Sequence, residues 1–223
     1  MSDTRSGQVA ATAAEIYDQF FVPALFAEWA PRLCDAAVLG EGQSVVDVGC
    51  GTGVAARTAA VRVGPSGAVT GVDVNEGMLA VARRHDPSIT WRHAAAEELP
   101  FDDGSFDAVL SQFALMFFVD PDAAIAEMRR VTSPGGQVAV AVWCSLAETP
   151  GYGAMAHLLH RLFGDEAADA LRVPYAMGDG EQVAERFRAA GLDPALATMT
   201  GTARFPRSSP GSTPTSGAGR WPT

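Results

Sequence analysis

Short runs of β-branched apolar residues alternate along the chain with longer amphipathic stretches. The first run, Ser44 to Val48, has the length and the Val content of a strand that is buried on both faces of a parallel sheet. Alternating strands and helices predict an α/β fold with a doubly wound, mostly parallel sheet. Further strands are predicted at 68–73, 88–93, 106–111, 137–143 and 196–205, with helices between most of them.

Two amphipathic stretches precede the first predicted strand. Apolar and aromatic residues recur among polar positions over 9–30, which predicts an amphipathic helix broken near Pro23, and 33–39 predicts a further short helix. Asp120 and Pro121 are typical of the cap and the first residue of a later helix. Asn75 is placed to cap the helix that follows the second strand.

A carboxylate and a glycine-rich turn close the first predicted strand. Asp47 interrupts the apolar run, and a lone carboxylate is costly to bury unless a ligand or backbone donors pair with it. Gly49, Gly51 and Gly53 follow at alternate positions, so the turn can bend sharply and present bare backbone to a ligand. Strand, glycine turn and helix open a nucleotide-binding βαβ unit, with an ordinary tight turn as the alternative.

The second predicted strand ends in a second carboxylate, Asp73. A carboxylate at this point can accept hydrogen bonds from both adjacent hydroxyls of a ribose. A helix cap is the alternative role, although Asn75 is better placed for it. Met78 falls in the first turn of the next helix, where it can pack on a nucleobase.

The glycine spacing departs from the dinucleotide fingerprint, since the third glycine comes one residue early and Val54 stands in its place. Residues 44–53 therefore resemble motif I of the class I S-adenosylmethionine-dependent methyltransferases. Residues 95–107, which contain Leu-Pro-Phe, are similar to a region of small-molecule methyltransferases related to quinone-biosynthesis C-methyltransferases. The resemblance covers about residues 15–143, with its motifs in the right order.

This resemblance implies a methyl transfer from S-adenosylmethionine to a small-molecule acceptor, with no fixed catalytic residue. His157, His160 and Tyr17 are candidate bases for a hydroxyl or amine acceptor. Ala95 stands where the family often has an Asp bonded to the adenine amino group, which leaves adenine to backbone groups or to Glu97. The cofactor-binding residues expected from position are Asp47, Gly49, Cys50, Gly51, Thr52, Gly53, Asp73, Val74, Met78, Ala95, Ala96, Glu97, Ser111 and Gln112.

The resemblance also suggests a division of the chain. Residues 1–40 would form lid helices, 44–143 the cofactor-binding core, and 144–205 the substrate-covering helices with a sixth strand. Residues 206–223 are rich in Pro, Ser, Thr and Gly, which predicts a disordered tail in place of the family's last helix and strand. A shifted reading frame and a natural flexible tail are both possible origins.

Composition narrows the partners and the compartment. The 223 residues carry a formal net charge of -10, which argues against nucleic acid and anionic membranes as partners. No stretch approaches the roughly 20 apolar residues of a membrane span, so we expect a cytoplasmic protein. Three widely spaced cysteines follow no metal or disulfide pattern, and we expect no metal site.

Two other functions stay open from the sequence alone. A nicotinamide-dependent oxidoreductase shares the βαβ opening and the acid after the second strand. A non-catalytic protein could keep the cofactor pocket for regulation or assembly. The acceptor, the methylated atom and the oligomeric state are not determined by these patterns.

Overall fold

A five-stranded sheet with every neighbouring pair parallel forms the centre of the computed structural model, which describes residues 11–205. The strand order is β3-β2-β1-β4-β5, so the chain winds outwards in both directions from β1. This confirms the predicted doubly wound α/β fold. The strands are β1 Ser44–Val48, β2 Ala68–Asp73, β3 Thr90–His93, β4 Phe106–Gln112 and β5 Thr132–Ala141.

Helices cover both faces of this sheet. Val45 packs on one face with buried residues of the helices at 29–36 and 54–63. Val46 and Val48 pack on the other face with buried residues of the helix at 121–131. Successive strand residues point to opposite faces, which is why one short Val run serves two cores. The helices are α1 Ala11–Ile16, a π-helix Tyr17–Phe26, α2 Trp29–Ala36, α3 Val54–Val63, α4 Glu76–His85, α5 Pro121–Val131, α6 Pro150–Phe163, α7 Asp165–Arg172 and α8 Gly180–Ala189, with 3₁₀ turns at Leu115–Phe117 and Val173–Tyr175.

The predicted caps of α4 and α5 are confirmed. The Asn75 side-chain oxygen accepts a hydrogen bond from the Met78 N–H at 3.1 Å. The Asp120 carboxylate accepts from two N–H groups of the first turn of α5, each at 3.1 Å. Both side chains satisfy backbone donors that a helix start leaves without partners. These caps fix where each helix leaves the carboxyl end of its strand.

The N-terminal region is not the broken α-helix that the periodicity predicts. Pro23 lies inside the π-helix, and the Ala27 N–H donates to the Val22 carbonyl at 2.8 Å, five residues back. Because Pro23 has no N–H to donate, the wider turn accommodates it without ending the helix. The predicted start at Val9 lies outside the described residues.

A contact between two polar side chains and a side-chain hydrogen bond to the backbone hold this N-terminal region against α4 and the sheet. His85 Nε2 lies 2.6 Å from an Asp18 oxygen, and Gln112 donates through Nε2 to the Phe26 carbonyl at 3.2 Å. The π-helix therefore spans from α4 to the end of β4. The expectation that this region acts as a lid stays a prediction.

The predicted sixth strand at 196–205 is wrong. The Thr202 N–H donates to a Glu28 carboxylate oxygen at 2.8 Å, and the Arg204 N–H donates to the Ala24 carbonyl at 2.9 Å. The segment is therefore a strap across the N-terminal helices, and part of its backbone bonds there instead of with a strand. Alternating apolar residues predicted a strand because alternation alone does not identify the partner that a segment will bond.

Within residues 11–205, β5 is consequently an edge of the sheet. The predicted tail at 206–223 lies outside the described residues, and the division of the chain into lid, core and covering segments stays a prediction. In the described part of the chain, no helix is long and apolar enough to cross a membrane.

The packing of Gly71 in β2 gives a test of this core. A side chain at Gly71 would overlap the Trp91 ring and would lie 3.0 Å from the Cys50 sulfur. We expect Gly71→Ala to lower the free energy of unfolding by about 1–3 kcal/mol through overpacking. Urea unfolding followed by circular dichroism measures this. Gly40→Ala is the control, because nothing lies within 4 Å of a methyl group there; equal stability of the two variants would contradict the packing.

Candidate active site

A cavity of about 370 Å³ opens at the carboxyl ends of β1 to β4. Residues that directly follow these strands form its floor, and Tyr17 of the π-helix covers it from above. In an open parallel sheet this edge, beside the strand at which the winding reverses, is where ligands bind. The cavity thus lies at the place that the sequence predicts for a site.

Most of the predicted cofactor-binding residues line this cavity. They are Asp47, Gly49, Cys50, Gly51, Thr52, Asp73, Val74, Met78, Ala95, Ala96, Glu97 and Gln112. They come from four separate segments of the chain, and the parallel sheet brings the segments together because all its strands end at one edge.

Two predicted site residues do not line the cavity. Ser111 is fully buried, and its hydroxyl donates to the Val48 carbonyl at 2.9 Å, because alternation along β4 turns its neighbour Gln112 to the cavity instead. Gly53 lies against the Trp91 ring, which a side chain at Gly53 would overlap. Its left-handed backbone (φ of 84°) begins α3, so its role is in packing.

The cavity also has lining residues that are not among the predicted cofactor-binding residues. Asn75 and Ala94 are neighbours of predicted residues, and the loop after β4 supplies a complete apolar wall. The unusually apolar run at 113–119 was the available signal, but composition cannot separate a core segment from a substrate wall. This wall is formed by Phe113, Ala114, Phe117, Phe118 and Val119.

The Asp73 carboxylate is already engaged with the backbone on both oxygens. Oδ2 accepts from the Gly51 N–H and Oδ1 from the Asn75 N–H, both at 2.8 Å. Burial raises the pKa of Asp73 above its usual value, while these two hydrogen bonds act in the opposite direction. Each carboxylate oxygen can accept more than one hydrogen bond, so the group can still bind ligand hydroxyls. Asp73 therefore fixes the glycine turn and faces the cavity.

Asp47 is buried with one oxygen satisfied. Oδ2 accepts from the Ala56 N–H at 3.0 Å, in the first turns of α3. Burial raises the pKa of Asp47 to about 7, the Ala56 hydrogen bond opposes this rise, and nearby Asp73 adds to it. A partly protonated carboxyl group beside a cavity is typical of a group that awaits a charged partner.

Three buried side-chain oxygen atoms in the described part of the chain have no hydrogen-bond partner. They are Asp47 Oδ1, Thr52 Oγ1 and Gln112 Oε1. An unsatisfied buried oxygen costs about 1–3 kcal/mol, and all three residues line the same cavity. Their convergence indicates that the cavity binds a polar ligand group, which would give these atoms partners.

Gly51 leaves open space in the glycine turn. Its backbone is left-handed, with φ of 54°, and nothing lies within 4 Å of the position that a methyl group would take. Gly49 has a φ of 72°, and a methyl group there would overlap Ala114. The first glycine of the turn therefore permits packing against the loop after β4, whereas the second keeps the cavity open.

Aromatic residues form the wall beside β4. Phe113 lies parallel to Trp143, with ring centroids 3.9 Å apart and planes within 8°. Its backbone has a φ of 54°, which costs a non-glycine residue about 1–2 kcal/mol. Phe26 and Trp29 lie within about 6 Å of the same two rings. This cluster holds Phe113, whose backbone is strained, at the cavity surface.

The candidate bases do not form a catalytic group. His157 and His160 lie on exposed positions of α6, and His160 pairs with Asp165 at 2.9 Å. None of the residues of α6 lines the cavity, and the expectation that this helix covers the substrate stays a prediction. Tyr17 does line it, but burial raises the pKa of its hydroxyl, so it stays protonated.

The comparisons with known proteins agree with this geometry. A methyltransferase domain family matches residues 46–140. The ubiquinone/menaquinone biosynthesis C-methyltransferase UbiE of Bordetella avium is 35% identical over 181 residues, which cover 74% of this chain and 70% of that protein. The demethylmenaquinone methyltransferase of Staphylococcus aureus is 40% identical over 113 residues, 49% of this chain and 47% of that protein. The chain thus spans about half the length of this second relative.

Solved structures support the fold alone, because their identities are low. A putative S-adenosylmethionine-dependent methyltransferase of Methanococcus maripaludis superposes with a TM-score of 0.63 at 17% identity, covering 92% of this chain and 94% of that chain. A putative methyltransferase of Bacillus halodurans gives 0.54 at 22% identity, covering 73% and 68%. The UbiE similarity, the matched domain and the site geometry together confirm the predicted family: the chain belongs to the class I S-adenosylmethionine-dependent methyltransferases and is related to the C-methyltransferases of quinone biosynthesis.

Proposed function

We propose that this protein transfers a methyl group from S-adenosylmethionine to a carbon atom of a small, hydroxylated aromatic acceptor. The observation that carries the cofactor half is the convergence of three unpartnered buried oxygens on one cavity. The acceptor half is supported by the aromatic wall at Phe113 and by the names of the relatives.

The residues at the glycine turn suit the amino-acid end of this cofactor. Asp47 and Gln112 each have an oxygen that can accept from an ammonium group, and the Thr52 hydroxyl can donate to a carboxylate. An ammonium beside Asp47 would favour its ionised form and offset the cost of burying it. Gly51 leaves the room that such a group needs beside the backbone.

Asp73 suits the ribose. It lies at the end of β2, next to the glycine turn, and its oxygens can accept from two adjacent hydroxyls while they keep their backbone partners. Met78 lines the same side of the cavity and can pack on the base. In this proposal the turn after β1 binds the amino-acid end, the end of β2 binds the ribose, and the base lies towards β3.

When bound, the cofactor would supply a methyl group on a positively charged sulfur. An electron-rich acceptor atom would take this methyl group as the carbon–sulfur bond breaks, and the neutral thioether would leave. The chain contributes orientation and exclusion of water, since Phe113, Ala114 and Phe118 form apolar walls and Tyr17 covers the cavity. A ring carbon activated by the acceptor's own hydroxyls would take the methyl group and then release its proton to solvent, which fits a site whose buried tyrosine is held protonated.

The acceptor can be identified by mass spectrometry with a deuterated methyl donor. Candidates are short-chain hydroquinones, monophenols, catechols and primary amines, each incubated with the full chain. We expect a ring-carbon product from the hydroquinones, together with one equivalent of S-adenosylhomocysteine. Transfer only to oxygen or nitrogen would contradict the carbon assignment, and the Asp73→Ala variant described below controls for background methylation.

Asp73→Ala tests the ribose assignment. Loss of two charge-assisted hydrogen bonds should weaken S-adenosylhomocysteine binding by about 2–4 kcal/mol, or some thirtyfold to several hundredfold, in titration calorimetry. Asp107→Ala is the matched control, because that carboxylate binds Ser44 rather than the cavity, and its affinity should stay within about twofold. Unchanged affinity in a folded Asp73→Ala protein would refute the assignment.

Gly51→Val tests whether the glycine turn presents its backbone to the cofactor. The valine would project into open cavity space and should abolish binding of S-adenosylhomocysteine. Gly64→Val also places a valine at a positive φ (66°), but at a residue that does not line the cavity. If both variants fold and bind equally well, the turn has only a structural role.

Asp47 makes the stability of the cofactor-free protein depend on pH. Its pKa rises on folding from 3.8 to about 7, so its stabilising contribution is complete below pH 4 and is lost as the pH rises towards 7. At about 1.4 kcal/mol for each pH unit, the loss amounts to about 4 kcal/mol.

Asp47→Asn should remove this share of the pH dependence, because an amide does not ionise in this range. Urea unfolding at several pH values between 4 and 8 measures the effect in both proteins. The same slope in Asp47→Asn and in the unsubstituted protein would show that Asp47 is not the titrating group.

A further inference from the structure

The side-chain amide of Gln112 connects the floor of the cavity to the π-helix that covers it. Its Nε2 donates to the carbonyl of Phe26, the last residue of that helix, at 3.2 Å. Its Oε1 is buried at the cavity and accepts from no group in the described part of the chain. Asp47 also has an unpartnered oxygen, but its other oxygen accepts from Ala56 in α3. A ligand contact at Gln112 therefore acts on a side chain that is bonded to the N-terminal region.

Phe26 transmits this bond to the cover of the cavity. Its ring centroid lies 5.2 Å from that of Tyr17 and 5.8 Å from that of Phe113. Tyr17 and Phe113 both line the cavity. The carbonyl and the ring of Phe26 thus join the end of β4 to the side chain that lies over the site.

The bond to Phe26 determines which end of the amide faces the cavity. A side-chain amide donates through its nitrogen and accepts through its oxygen, so the nitrogen is the end that can bond to a carbonyl. With Nε2 on the Phe26 carbonyl, Oε1 lies at the cavity without a donor. A buried oxygen without a donor is costly, because it has lost water and gained no partner. The closed arrangement of the cofactor-free protein carries this cost.

We propose, on the basis of the cofactor site assigned above, that Gln112 is a positioning residue that couples cofactor binding to closure of the N-terminal π-helix. In the closed arrangement, Oε1 gains a partner when it accepts from a donor on the cofactor. In an open arrangement, water reaches the amide, and the same contact gains little. The two arrangements therefore differ in cofactor affinity, so the cofactor favours closure, and closure strengthens cofactor binding by the same factor.

Other contacts hold the same region without meeting the cavity. His85 Nε2 lies 2.6 Å from an Asp18 oxygen, and the Arg204 N–H donates to the Ala24 carbonyl at 2.9 Å. None of these four residues lines the cavity. Such contacts should stabilise the closed arrangement equally with and without cofactor, so they supply a control for a contact that depends on it.

Hydrogen–deuterium exchange of the full chain, followed by mass spectrometry of peptides that span 17–26, measures closure of the π-helix. The protein alone is compared with the protein saturated with S-adenosylhomocysteine, which has the same amino-acid end as the methyl donor. We expect saturation to slow exchange in this segment. A factor of about two to ten in this slowing should depend on Gln112, as expected for one hydrogen bond.

Gln112→Glu separates the two ends of the amide. At pH 8 the glutamate keeps oxygens that accept from an ammonium group, but it has no N–H to donate to the Phe26 carbonyl. The ligand-induced slowing should be smaller than in the unsubstituted chain by about twofold to tenfold, at saturating ligand in both proteins.

Gln112→Met is the second variant, because methionine has a similar length and no amide. It should show a similar reduction and keeps the test decisive if the glutamate prevents folding. Circular dichroism and thermal unfolding establish that each variant folds.

His85→Ala is the matched control, since it removes a contact of the same helix away from the cavity. Exchange at 17–26 should become faster by similar factors with and without the ligand. The ligand-induced slowing should therefore stay within about twofold of that in the unsubstituted chain.

The outcomes separate this inference from the proposed function. S-adenosylhomocysteine binding without any slowing at 17–26, or with equal slowing in the folded Gln112 variants and the unsubstituted chain, would overturn the coupling and leave the cofactor assignment intact. An equal reduction in His85→Ala would also overturn it, because any loosening of the helix would then have the same effect. Failure of the unsubstituted chain to bind S-adenosylhomocysteine would overturn the cofactor assignment and this inference together.

Discussion

The carboxylate of Asp73 is the interaction on which the site depends. Its two oxygens each accept a backbone N–H at 2.8 Å, one from Gly51 in the turn after β1 and one from Asn75 at the start of α4. The ends of two neighbouring strands are thereby fixed relative to one another. A carboxylate whose two oxygens already bond to the backbone is held in one orientation, and such an acceptor loses little entropy when it binds a ligand.

The two ends of the described chain converge above this floor. The π-helix places Tyr17 over the cavity, and the segment at 196–205 bonds to Glu28 and Ala24 on the same N-terminal region. Side-chain contacts add to these bonds, with Phe205 and Phe20 ring centroids 5.3 Å apart. The segment at 196–205 and the sheet therefore contact the N-terminal region from two sides and hold the π-helix over the cavity. This supports a site that excludes water during methyl transfer.

Polar and apolar groups divide the cavity in a way that matches the proposed chemistry. The buried oxygens without partners lie on Asp47, Thr52 and Gln112, at the ends of β1 and β4 and in the turn between β1 and α3. Apolar walls dominate beside Phe113 and beside Ala95. Charged and polar groups are thus concentrated at the ends of β1, β2 and β4, whereas the walls beside Phe113 and Ala95 are apolar.

The sequence by itself determined the architecture and the floor of the site. The Val run, Asp47 and the glycines predict a strand, a turn and a helix because local periodicity and backbone freedom specify these elements. Asp73 could be placed at the same edge because parallel strands all end there.

Only the tertiary structure decided which side chains face the cavity and where distant segments dock. Ser111 and Gln112 are neighbours in sequence, but the pleat of β4 buries the first and turns the second to the cavity. The segment at 196–205 alternates like a strand, yet its donors bond to the N-terminal helices. Such pairings link residues more than 170 positions apart, and no local pattern in either segment specifies the partner.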